Sequence, residues 1–286
     1  MSPAEAAADR SPTVRNRTGL TRSELRTLFR RIRTLVMLLV LAGVPVLLAV
    51  LVKLFNGPSS ADQGPPFLSS VTENGLFVAF TGLTVTLPLF LPLVVGVVAG
   101  DSVAGEANIG TLRYLLVVPA GRTRLLAAKL VTIVAFCLAA AFVVALVGMA
   151  IGALLFPVGR VTLLSGATIS AWSAFGRALA VAGYVGLSLV GLAAIGLFVS
   201  TLTDVPIAAM ATTVILAIAS EILDAVPQVA ALHPWLLSHY WLSFADLLRQ
   251  PPYYTAMLHG LLLQLGYLVV FSSLAWARFT SRDILS

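Results

Sequence analysis

The chain has 286 residues, 59% of them hydrophobic and only 10% charged, where soluble domains carry roughly 25% charged residues. Its net charge of +6 comes from sixteen Arg and two Lys against twelve acids, and its mean hydropathy is +0.98. Several apolar runs reach the roughly 20 residues that cross about 30 Å of hydrocarbon, which excludes a soluble globular domain. The bases gather at the ends of those runs, which marks them as topological signals and not a nucleic-acid surface. The lone Cys137 lies within an apolar run, so no disulfide within the chain is possible.

Residues 1–20, rich in Ala, Ser, Thr, Pro and Arg, read as a mobile cytosolic tail. The first apolar run begins after some 33 residues and is too long for a cleavable signal, so it is expected to remain as an anchor. Before it, Thr21-Arg-Ser-Glu24 fits a capping box, with Thr21 capping and Glu24 reaching back. Leu25, Leu28, Phe29 and Ile32 then recur at helical spacing, with Arg22, Arg26, Arg30 and Arg33 mainly elsewhere. This predicts an interfacial helix over 21–33, apolar side in lipid and guanidinium groups toward anionic headgroups; the alternative is the solvated beginning of the first span.

The fold expected is an all-α polytopic membrane protein, one membrane domain over 21–286 with six transmembrane helices. The spans fall at about 35–55, 76–100, 125–156, 174–202, 205–225 and 256–279. Pro45, Pro88 and Pro92 lie inside spans and predict kinks whose freed carbonyls neighbours must satisfy. With both termini cytosolic, fourteen bases fall inside and four (Lys53, Arg160, Arg177, Arg249) outside, a strong positive-inside bias. Outside, 56–75 reads as a loop. The segment 226–254 crowds Trp235, Tyr240, Trp241, Phe244, Tyr253 and Tyr254 together. It predicts one or two short helices, broken near Pro234 and Pro251–Pro252, lying in or dipping into the outer leaflet. His233, His239, Asp246 and Arg249 argue against a seventh span there.

No phosphate-cradling motif exists: the two lysines, Lys53 and Lys129, follow Val52 and Ala128. The chain is therefore not expected to be an ATPase or to hold a cofactor of its own. Ionisable groups deep in spans mark transport paths, and few are present. Glu221, His259 and Gln264 are the substrate-path candidates, Glu221 reading equally well as a hydrated acid near the surface with Asp224. His233 and His239 stand six apart with no adjacent ligand cluster, so the spacing gives no metal site. The pairs Gly96/Gly100 and Gly148/Gly152 allow close helix approach.

The polar island 100–130 is the most distinctive stretch. Asp101 or Ser102 is expected to cap a short helix after the second span. Gly110-Thr111 marks a break and a new cap for a helix over 112–118, Pro119 stops it, and Gly121-Arg122 re-enters the third span. A short helix set crosswise between two spans can transmit force from a soluble partner. The alternative is a topogenic loop with its bases at the headgroups.

Glu106, Gly110-Thr111-Leu112, Leu115-Leu116, Pro119, Arg122 and Lys129 reproduce the pattern E-x-x-x-G-T-L-x-x-L-L-x-x-P-x-x-R, then Lys. This resembles the loop between the second and third spans of ABC-2-type permeases, the membrane subunits of bacterial ATP-binding-cassette exporters. The tail Arg278-Phe-Thr-Ser-Arg282-Asp283-Ile284 is also similar to that family's ending. Gly121 departs from it, standing where Ser or Thr is usual, though Gly can serve as an N-cap. The resemblance implies a coupling helix from Glu106 to Arg122 that docks on an ATPase subunit. Asp101, Glu106, Gly110, Thr111, Leu112, Arg113, Pro119 and Arg122 are then the coupling residues. It further implies two ATPase subunits carrying ATP and Mg, a second permease subunit (the same chain or a relative), and a bacterial cell membrane. The Arg-over-Lys and Ala/Val/Leu bias agrees with a GC-rich bacterial genome. The charge-poor spans suit an amphiphilic or lipophilic cargo. A non-transporting membrane anchor shares this topology, and an ion-coupled secondary transporter is disfavoured by the same lack of charge.

Overall fold

The computed structural model describes residues 19–55, 74–110, 121–162 and 166–281. Among these, six helices are long and apolar enough to cross a membrane: 32–54, 90–108, 122–155, 171–202, 206–224 and 255–281. The expected calls at Thr111, Leu112, Arg113 and Pro119, and at Arg282, Asp283 and Ile284, lie outside the described residues.

Helix α1 (Gly19–Arg30) bends at Arg31 into α2 (Ile32–Phe55). Leu20, Leu28 and Phe29 pack against the core. Thr21 lies inside the described helix, so the expected capping box does not form. Glu24 instead reaches Lys129.

The second span is broken into α3 (Phe77–Thr86) and α4 (Phe90–Asn108). Pro88 sits in the intervening turn and Leu89 leaves the helical region at φ −130°, ψ −56°. Pro92 falls in the first turn of α4, where a missing N–H costs no helical hydrogen bond. Pro45 stays within α2, and its ring faces Gly82 of α3, where an added Cβ would lie 3.1 Å away. Helix α4 continues past Gly100, so Asp101 and Ser102 are interior residues and not the caps expected of them. Their polarity does not end the helix because each finds a partner: Ser102 Oγ donates to Ala99 O at 2.7 Å, and Asp101 pairs with arginines.

Helix α5 (Arg122–Leu155) has 34 residues, about 51 Å at 1.5 Å per residue. A short antiparallel pair, β1 (Val161–Thr162) and β2 (Thr168–Ile169), follows. The fourth span is α6 (Ala171–Ser188) and α7 (Val190–Leu202), interrupted at Leu189. Helix α8 (Pro206–Asp224) starts on a proline, as helices tolerate. Two 3₁₀ helices, Pro227–Trp235 and Trp241–Leu248, then lead to α9 (Thr255–Ser281).

The α6–α7 pair is the hub, 83% buried over its most apolar window, whereas α9 is 17% and α2 and α8 are 22% buried. The three outer helices thus leave apolar faces such as Leu258, Leu262 and Val269 of α9 uncovered. Small residues set the closest contacts. A Cβ at Gly100 would lie 2.6 Å from Met210 N, and one at Gly196 would lie 2.5 Å from Ala99 Cβ, locking α4, α7 and α8 together. Gly148 and Gly152 meet the backbone at Ala79 and Gly75. Both glycine pairs noted in the sequence are therefore used within the chain.

Candidate functional site

At the end of the bundle where α2 begins, α4 ends, α5 begins and α9 ends, polar side chains tie five helices together, α1 included. Lys129 of α5, 4% exposed, places Nζ 2.6 Å from Glu106 Oε1 of α4 and 3.7 Å from Glu24 Oε2 of α1. Asp101 Oδ2 lies 3.3 Å from Arg33 Nη1 and 3.6 Å from Arg31 Nη1. Arg122 Nη1 donates to Thr280 O at 2.9 Å, and Trp276 Nε1 donates to Thr123 Oγ1 at 3.0 Å, fastening α5 to α9. The cleft among Glu24, Arg31, Asp101, Glu106 and Lys129 encloses about 50 Å³, room for a few waters. These contacts make it a joint between helices.

Two glycines bracket the segment 111–120. Gly110 (φ +70°) and Gly121 (φ +55°) both adopt left-handed backbone, which other residues reach only at a cost. Gly121 also takes the N-cap position of α5, as expected for it. Of the coupling residues named from the sequence, Asp101, Glu106, Gly110 and Arg122 thus gather at one end of the bundle. Sequence reasoning read Glu24 as part of a capping box and Lys129 as an inside base and a pattern match, and did not pair the two. The available signal was a lysine inside an apolar helix, which needs a buried counter-charge.

A second polar arrangement surrounds the break at Leu189. Interrupting a buried helix frees carbonyls before the break and N–H groups after it, and these require partners. Trp241 Nε1 donates to Ser188 O at 3.0 Å, and Gly191 N donates to Gln264 Oε1 at 3.1 Å. Gln264 Nε2 then donates to Leu237 O at 2.8 Å, and Tyr184 OH to Tyr240 O at 2.6 Å. Ser188 ends an 18-residue helix, about 27 Å along from its start. The bend 236–240 therefore reaches deep beside α6. The return arm runs back along that helix, where Arg177 Nη1 donates to Leu247 O at 2.7 Å. The segment between the fifth and sixth long helices thus forms two 3₁₀ helices joined by this bend.

The same segment roofs a groove of about 670 Å³ lined by Trp235, Tyr240, His259, Leu262, Tyr267 and Phe271, among others. That volume is within the range of small-molecule sites. Of the three path candidates, His259 lines this groove. Gln264 is 2% exposed, with both ends of its amide committed to the backbone of other elements. Glu221 is half-buried on α8, one turn before Asp224. Asp224 in turn meets His239 at 2.6 Å and His233 at 4.0 Å.

No curated protein matches the chain. A family model described as a protein of unknown function, DUF2705, matches residues 46–285. That match spans most of the molecule, from the first long helix to the tail, and the chain belongs to this family.

Proposed function

We propose that this protein is the multi-pass membrane subunit of an ATP-driven exporter, powered by a separate ATPase that docks on the 101–124 region. The observation that carries the reading is the joint beneath that region. The ends of α4 and α5 are clamped to α1, α2 and α9 by Glu106–Lys129–Glu24, Asp101–Arg33 and Arg122–Thr280. A push on residues 111–120 is then passed to several helices at once. The similarity of Glu106, Gly110-Thr111-Leu112, Pro119 and Arg122 to the coupling loop of ABC-2-type permeases agrees with this.

In this reading both termini and the joint face the cytosol of a bacterium, and the uncovered faces of α2, α8 and α9 meet lipid or a second permease subunit. Two ATPase subunits supply ATP and Mg. The cargo is amphiphilic or lipophilic, which suits the aromatic groove and its polar rim of His259 and Tyr240. The broken α6–α7 helix fits a transporter, since interrupted spans at mid-depth commonly flank substrate sites.

The test replaces 111–120 with a Gly/Ser linker of equal length and purifies the membrane complex. Wild type should bring down a stoichiometric P-loop ATPase that hydrolyses ATP, and the linker variant should insert normally but lose it. Retention of full ATPase association by the linker variant would refute the proposal.

A further inference from the structure

We propose that Asp224, His233 and His239 form a binding site for a divalent cation of the zinc class. Their ligand atoms all lie within 4.8 Å of one another. Zinc bonds to imidazole nitrogen and carboxylate oxygen of about 2.0–2.2 Å in tetrahedral geometry put ligand atoms about 3.3 Å apart. The observed 2.6 Å (Asp224 Oδ1 to His239 Nδ1) and 4.0 Å (Asp224 Oδ1 to His233 Nδ1) straddle that spacing.

Hydrogen bonding prepares the site. His233 Nε2 lies 3.2 Å from Val226 O. A carbonyl only accepts, so Nε2 carries the proton and the Nδ1 of the neutral ring presents its lone pair toward Asp224. A ligating histidine oriented by a backbone carbonyl on its other nitrogen is the usual outer-shell arrangement of metal sites. Asp224 closes α8, where the negative end of the helix dipole favours a cation.

The three side chains are 26%, 18% and 31% exposed for Asp224, His233 and His239, which admits an exchanging ion and leaves a position for water or cargo. The chain has three histidines and one cysteine in all. Cys137 is buried in α5, and His259 stands beyond the Tyr240 ring, and among the described residues neither joins a rival set. Because His233 lies in the first 3₁₀ helix and His239 in the bend, a bound cation would staple the 3₁₀ segment to α8.

The test uses the full-length protein in detergent, purified through a tag without histidine, stripped with chelator and titrated calorimetrically with zinc chloride. The expected result is one zinc per chain, with an X-ray absorption spectrum of two imidazoles plus oxygen ligands. His239→Gln and His233→Gln should each weaken binding by more than about 100-fold, beyond the 10–100-fold cost of losing an outer-shell partner. His259→Gln should leave the affinity unchanged. Gel filtration confirms folding of each variant, and the wild-type spectrum decides the ligand set should one fail to fold. Absence of saturable zinc uptake, a spectrum without imidazole, or affinity indifferent to His233 and His239 would overturn the site and leave a plain Asp224–His239 hydrogen bond. The titration needs neither an ATPase nor a cargo, so its outcome is independent of the exporter reading.

Discussion

Replacing Glu106 by Gln leaves Lys129 buried with Glu24 as its remaining carboxylate partner at 3.7 Å. At an effective dielectric of about 20, the attraction across 2.6 Å is about 6 kcal/mol, against about 4.5 kcal/mol across 3.7 Å. Much of that gross attraction offsets desolvation, so the expected cost is that of breaking a buried pair, about 3–5 kcal/mol. Lys129→Met should cost less, since Glu106 at 14% exposure can recruit water more easily than Lys129 at 4%. The double variant Glu106→Gln, Lys129→Met removes the uncompensated charge and should recover most of the loss, because exchanging a buried pair for apolar groups is often neutral. Thermal unfolding of the purified protein in detergent reads this cycle. The single Glu106 variant should melt lower by roughly 10 °C, taking 2–4 °C per kcal/mol for a chain of this size. Strict additivity of the two single changes, with no coupling above about 0.5 kcal/mol, would refute the joint, since groups in contact couple by more than that.

Gly100→Val should destabilise by about 1–3 kcal/mol or block folding, because a Cβ there meets Met210 and Ala209 backbone within 2.9 Å. Gly183→Ala, with nothing within 4 Å of the new methyl, should be neutral or raise stability by up to about 1 kcal/mol; the two melting temperatures check the contrast. Ser200 Oγ accepts from Val103 N and Ala104 N and donates to Gly100 O at 2.7 Å. Ser200→Ala should therefore cost about 1–3 kcal/mol and speed amide hydrogen exchange at 103 and 104, leaving exchange in α9 unchanged. Gln264→Leu removes the partners of Gly191 N and Leu237 O, and should raise proteolysis within 236–240 while the N-terminal joint stays protected.

Six long apolar helices were legible in the sequence because their hydrophobic runs are long and bounded by charge. Pro88 and Pro92 were legible as disturbances, but the sequence could not say that the first would separate two helices and the second would sit harmlessly in a first turn. The break at Leu189 carries no local sign, since neither Pro nor Gly stands at that residue. Its stability comes from Trp241 and Gln264, both more than fifty residues away along the chain. Asp224 and the two histidines were hidden for a similar reason. The reversal at Ala225–Val226 folds the 3₁₀ segment back on α8, and only then does the carboxylate meet both rings. At the joint, Glu106 was singled out by its motif, yet its partner Lys129 lies across the segment 111–120 on another helix.

The exporter reading is tested most directly by following residue 113 through a nucleotide cycle. The sole native cysteine, Cys137, is buried, so Arg113→Cys gives a single reactive thiol for crosslinking in native membranes. The account predicts a crosslink to a P-loop ATPase subunit, identified by its own ATP hydrolysis, whose yield changes between nucleotide-free and vanadate-trapped states. A thiol at 113 that crosslinks to no nucleotide-hydrolysing subunit in either state, in membranes where the complex is intact, would contradict it.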